Sequence, residues 1–209
     1  MKLLLSLTIL LLVCASTVQA QNETFFIPIE EGHPEFVFLS DVPDNHTPWD
    51  MIVDVSESNW LGTEIFIDLT SGSMLKVRDS HLKPSQDEID NQPAPRWDSW
   101  VTAPTTANTG FVPSPNDVLN SEGANLVWFE APPDSGNGIF QIGRFTFSND
   151  ATGTISGSTA DQDNFGNNSI PFEFFLTIEN GQVVPEPSTL LLAALGLLGL
   201  LGFSRRRRK

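Results

Sequence analysis

With 209 residues, 11 Lys and Arg against 26 Asp and Glu, and a formal net charge of -15, the chain has room for one ordinary domain once its two apolar ends are set aside. Between residues 21 and 184 only five cations oppose 25 carboxylates, a balance of -20; such a field repels phosphate backbones and excludes nucleic acid as a partner of the body. The single cysteine, Cys14, lies inside the first apolar run, so the exported part holds no disulfide and must rely on its core or on metal ions.

The first element is MKLLLSLTILLLVCASTVQA. One early cation, Lys2, an apolar run from Leu3 to Val13 and small side chains at Val18 and Ala20 predict a secretory signal peptide over residues 1–20, cut after Ala20. The run is too short for a span of roughly 20 residues. Val13 directly before Cys14 argues against the alternative of a lipidated cysteine.

Residues 21–183 show no sustained helical period, whereas short runs rich in β-branched and aromatic residues predict strands. The clearest are Met51–Ser56, Glu64–Thr70, Gly138–Phe147 and Pro171–Glu179. In the last, Phe172, Phe174, Leu176 and Ile178 point one way while Glu173, Thr177 and Glu179 point the other. Strict alternation in the third puts Phe140, Ile142, Arg144 and Thr146 on one face and Phe145 and Phe147 on the other. Further strands are expected at Glu35–Leu39, Met74–Val77, Trp97–Val101, Leu126–Glu130 and Gly153–Gly157, with loops at Pro84–Pro95 and Ala103–Glu122. Eight or more short strands separated by Gly, Pro, Asn, Asp and Ser clusters predict an all-β sandwich, jelly-roll or cohesin-like.

Three kinds of chemistry can be sought in this body. Asp161-Gln-Asp163 with Gly166 at the sixth position begins like a calcium loop. Phe165 and Phe172 occupy the fifth and twelfth positions, which excludes an EF-hand and leaves either a looser calcium site or a polar turn; no other cofactor is implied. Trp97 and Trp100 stand close together and are candidates for stacking on a polysaccharide, although residues three apart in a strand point to opposite faces. His33, His46 and His81 belong to no H-E-x-x-H pattern, and no G-x-S-x-G elbow occurs. Paired carboxylates such as Asp87 and Glu88 could cut glycosides in principle. In so acidic a chain they arise by chance, and the expectation is that the protein is not an enzyme.

The tail reads VVPEPSTLLLAALGLLGLLGFSRRRRK from Val183 to Lys209. Thr189 to Phe203 are uncharged; as a helix they reach about 22 Å against a hydrocarbon core near 30 Å. That is a short membrane span, ended by Arg205, Arg206, Arg207, Arg208 and Lys209, which hold this end on the cytoplasmic side and the body outside. Pro185, Glu186 and Pro187 then form a stiff acidic tripeptide at the outer membrane surface. Taken together, the tripeptide, the apolar stretch and the basic cluster of residues 184–209 resemble the PEP-CTERM sorting domain of Gram-negative bacteria. The resemblance implies recognition by an exosortase, a membrane cysteine peptidase, and transfer from the inner membrane to the cell envelope, surface or extracellular matrix.

A looser resemblance covers about 110 residues of the body. Ile52-Val-Asp-Val with Trp60, Ile65-Phe-Ile-Asp-Leu-Thr-Ser-Gly-Ser-Met, Val127-Trp-Phe and Ile142-Gly-Arg-Phe-Thr-Phe-Ser-Asn-Asp-Ala-Thr-Gly-Thr are similar to the extracellular domains of planctomycete-type PEP-CTERM proteins. It implies a cohesin-like sandwich and no particular activity. The combined expectation is an exported structural or adhesive protein, with a surface carbohydrate-binding module as the alternative and a secreted hydrolase third.

Overall fold

The computed structural model describes residues 23–56, 58–91, 94–104, 109–111, 118–130, 137–162 and 171–185. The expected signal peptide with Ala20, the residue Asp163, and everything from Glu186 to Lys209, including Pro187 and the five terminal cations, lie outside the described residues.

Where the sequence alternates or runs apolar, antiparallel strands form. The described strands are β1 (Glu23–Pro28), β2 (His46–Val55), β3 (Asn59–Ser71), β4 (Trp100–Val101), β5 (Thr109–Phe111), β6 (Val118–Asn120), β7 (Gly123–Glu130), β8 (Gly138–Ser148), β9 (Thr152–Gln162), β10 (Phe172–Glu179) and β11 (Gln182–Pro185). One sheet has the order β1-β2-β8-β4, the other β11-β10-β9-β3-β7-β5, with β6 also paired to β7. Their inner faces close one core. Met51, Val53, Phe145 and Phe147 of the first sheet meet Ile65, Ile67, Leu126, Trp128, Ile155 and Ile178 of the second. The protein is an all-β sandwich, as composition and alternation predict.

Alternation fails at one instructive place. Met51 pairs with Gly143 but Ile52 pairs with Gln141, so Ile142 is an extra residue in β8. A bulge of this kind reverses the phase of the side chains beyond it. Ile142 therefore joins Phe145 and Phe147 in the core, with Phe140 packed against it, instead of facing away from them.

Several expected strands are replaced by irregular chain. Glu35–Leu39 is no strand: residues Phe36–Asp41 form a 3-10 helix, η1. Met74–Val77 contributes a single bridge, Met74 to Phe147. Trp97–Val101 shrinks to the two residues of β4, because Trp97 closes a second 3-10 helix, η2 (Ala94–Trp97). The expected loop Pro84–Pro95 contains a six-residue helix, α1 (Gln86–Asn91), and the expected loop 103–122 contains β5 and β6. Glu35 at the start of η1 and Arg96 of η2 lie over the outer face of the four-stranded sheet, where both meet Arg144, whereas β5 and β6 extend the other sheet beside β7. The backbone N–H groups of Leu75 and Ser148 donate to Thr146 and Ser73, and those of Ser99 and Val101 to Leu75 and His81, tying cover and sheet together.

Candidate functional site

Covering that outer face buries polar residues that alternation would otherwise leave in water. Asp50 of β2 and Arg144 of β8 sit directly opposite each other in the ladder. The Arg144 guanidinium donates to both Asp50 carboxylate oxygens, from Nε at 2.7 Å and from Nη2 at 3.0 Å. Its Nη1 donates to Glu35 Oε2 at 2.6 Å and to the Arg96 carbonyl at 3.0 Å. Burial alone would lower the Arg144 pKa, but the hydrogen bonds and charge of Asp50, reinforced by Glu35, outweigh it and raise it above the ordinary arginine value. The guanidinium is a fixed cation, forked onto a carboxylate in the bidentate geometry that arginine favours.

His33 completes the cluster, with Nε2 3.2 Å from Asp50 Oδ2. Its Nδ1 accepts the backbone N–H of Glu35 at 3.1 Å. An acceptor at Nδ1 and a carboxylate at Nε2 select the tautomer protonated on Nε2. Neither ring nitrogen is left to abstract a proton from a substrate.

Trp97 and Trp100 flank this cluster, with the Arg144 guanidinium carbon 5.4 and 5.5 Å from their ring centroids. They are 0% and 1% exposed. This corrects the expectation that they stack on a sugar: both rings serve as walls around a buried cation and present no face to solvent. Lys83 lies above Trp100 at 5.0 Å and donates to Gln141 Oε1 at 3.2 Å. Burial lowers the Lys83 ammonium pKa, and the nearby Arg144 charge lowers it further against the opposing pull of Glu35 and Asp50.

A second buried pair organises the neighbouring loop. Asp98 accepts the backbone N–H groups of Val77 (2.7 Å) and Arg78 (3.2 Å) and the Lys76 ammonium (3.2 Å). Lys76 also donates to the carbonyls of Arg78 and Ser80. Burial lowers the Lys76 pKa, with Asp98 offsetting part of the effect. Beside it a groove of about 560 Å³ runs between Glu35, Lys83 and α1. Of its charged lining, Glu35 is paired with Arg144, Arg78 with Glu88 at 2.9 Å, and Lys83 donates to Gln141.

The calcium candidates divide. Asp161 is not the start of an open loop: it lies in β9, 1% exposed, and accepts Ser58 Oγ at 2.5 Å. Asp163 lies outside the described residues. Among the described residues no group of three or more His, Cys, Asp and Glu side chains is arranged to hold a metal ion. The neighbouring inter-sheet space is instead bridged by a polar chain, from Trp60 Nε1 to Thr63 and through Thr159 to Thr24.

Pro185 occupies a position that alternation did not foresee. It is the last residue of β11 and pairs with Leu176 on the edge of the seven-stranded sheet. A proline is tolerated on a sheet edge because its missing N–H removes no ladder bond. The strand is held by an Asn180-Gly181 turn, both residues at positive φ (52° and 72°), which suits a two-residue hairpin. Trp49 Nε1 donates to the Gly181 carbonyl at 3.1 Å, and Val183 is buried in the core. No described helix is long and apolar enough to cross a membrane.

Residues 183–208 match the PEP-CTERM protein-sorting motif. The match begins inside β11, so the sorting motif starts within the sandwich itself. No curated protein matches the chain. The motif supports an exported protein that is processed at the membrane by an exosortase.

Proposed function

We propose that the protein is a non-enzymatic structural or adhesive component, delivered by its signal peptide, held by a C-terminal membrane helix and then passed by an exosortase to the cell surface or extracellular matrix. The observation that carries this reading is the sorting motif running directly out of the edge strand of an all-β sandwich. The charged groups that might otherwise suggest catalysis favour a bracing role. Arg144 is forked onto Asp50 and Glu35, both nitrogens of His33 are engaged, and Asp98 is saturated by Lys76 and two backbone donors. The cohesin-like identity of the sandwich belongs to the same proposal.

The test is fractionation of cells making the full chain with Glu186→Ala and Pro187→Ala together. Both positions lie beyond β11, so the sandwich should remain intact. The doubly substituted chain is expected to accumulate in the inner membrane as unprocessed precursor, while the wild type moves to the outer envelope or the medium. Equal release of the two would rule the reading out.

A further inference from the structure

The outer face of the seven-stranded sheet carries a feature that the sorting reading leaves unused. Along β3, β9 and β10 the register sets Phe66, Ser156 and Phe175 in one cross-strand row, and Glu64, Ser158 and Glu173 in the next. A serine between two larger residues in each row leaves a shallow trough, of about 510 Å³, open to solvent. Phe66 is 40% and Phe175 is 47% exposed. All five tryptophans are buried and the chain has no tyrosine. These two phenylalanines therefore present the sheet's exposed aromatic surface among the described residues. The Glu64, Ser156, Ser158 and Glu173 side chains have no hydrogen-bond or ion-pair partner among the described residues.

The geometry points to a binding site for a neutral, extended polysaccharide on this face, with Phe66 and Phe175 as stacking platforms and the two serines and two glutamates bonding sugar hydroxyls. Three physical arguments converge. Apolar rings on a flat, rigid sheet lose little conformational entropy when a ligand covers them. Their anchor points are two strand spacings apart, about 10 Å, which suits alternate rings of a β-linked pyranose chain lying across the strands. A sugar ring offers an apolar C–H face to an aromatic and a rim of hydroxyl donors to carboxylates, the same mixture that the two rows present. The acidic balance of the body and the two local carboxylates disfavour a polyanionic chain. This site deepens the adhesive reading, on which it rests for its biological setting, and needs no part of the sorting tail.

The test uses the full chain purified in detergent and run in native gels containing xyloglucan, a neutral β-linked glucan, with alginate as polyanion and chitosan as polycation. Saturable retardation by xyloglucan is expected, with alginate giving none. Phe66→Ala and Phe175→Ala should each weaken it by about tenfold, roughly one well-placed contact, and together abolish it. Phe66→Trp should preserve or strengthen it. Because both rings are exposed, thermal midpoints of the Ala variants should stay close to wild type. The proposal is overturned if xyloglucan gives no retardation, if the double variant is retarded like wild type, or if only chitosan retards and does so regardless of the phenylalanines. A Phe66-dependent dimer in sedimentation without glycan retention would reassign the face to self-association and equally overturn it. Since cell fractionation scores sorting separately, failure here leaves the sorting reading standing, and the reverse also holds.

Discussion

Arg144→Met is expected to destabilise the sandwich by about 3–5 kcal/mol, the usual cost of breaking a buried ion pair from one side. The substitution leaves Asp50 buried, opposite an apolar side chain, with His33 as its remaining polar contact. It also frees Glu35 and the Arg96 carbonyl from the guanidinium that holds the cover to the sheet. Glu35→Gln should cost far less, because the Glu35 side chain is about one-third exposed and water can replace the lost charge. Replacing the pair together, Arg144→Met with Asp50→Leu, should recover most of the loss, since two apolar residues leave no uncompensated charge. Urea unfolding followed by tryptophan fluorescence measures all three, and Trp97 and Trp100 lie close enough to Arg144 to report on it. A single Arg144→Met variant within about 1 kcal/mol of wild type would mean that the pair does not hold the cover in place.

The same cluster shows where reading the sequence stops. Strands β2, β3, β8 and β10 were legible because their apolar residues recur with period two and β-branched or aromatic side chains fill them. The cover was not legible, since Phe36–Leu39 and Trp97 have strand-like composition yet fold into 3-10 turns, leaving only Trp100–Val101 of the second segment as strand. There tertiary burial overrides local preference. Alternation set Arg144 on one face of its strand with Phe140, Ile142 and Thr146 and said nothing of a partner; only the register that places Asp50 opposite it reveals a buried pair. Two missed elements did carry readable signs. Ser85-Gln-Asp-Glu88 is a capping box, with Glu88 Oε2 accepting the Ser85 N–H at 2.8 Å and Ser85 Oγ accepting the Glu88 N–H at 3.3 Å, and it starts α1. The Ser85 N–H and hydroxyl, followed by Arg78, hold the Glu88 carboxyl below its ordinary pKa. Asn180-Gly181 is the strongest short hairpin signal a sequence offers, and it announces β11. The Phe66 and Phe175 platform lay beyond reach for another reason. Two residues more than a hundred positions apart become neighbours across β9 only when three strands take a single register.

The position of β11 leads to a second large effect, on where the chain is cut. A peptidase binds its substrate as an extended strand on both sides of the scissile bond, and residues locked in a sheet are not free to do so. Gln182, Val183 and Val184 pair with Glu179, Ile178 and Thr177, Val183 is 6% exposed, and the Gly181 N–H donates to the Ala151 carbonyl at 2.9 Å. Cutting inside Gln182–Val184 would require peeling this hairpin from the core, whereas cutting at or beyond Pro185 leaves it whole. The mature protein recovered from the envelope or medium is therefore expected to retain Val184, with its C-terminus at Pro185 or later. Intact-mass measurement decides this to the residue, and a mature chain ending at Val184 or earlier would contradict it. Loosening the hairpin should change the result. Gly181 has φ +72°, and a Cβ there would lie 2.7 Å from the Ser148 carbonyl oxygen, so Gly181→Ala imposes strain of about 1–3 kcal/mol. That cost falls on the edge of the sheet and raises the population of peeled β11 by a factor of about 5 to 150. The variant is expected to yield C-termini spread upstream into β11, while Phe66→Ala, on β3 of the same sheet and outside the hairpin, keeps the wild-type end.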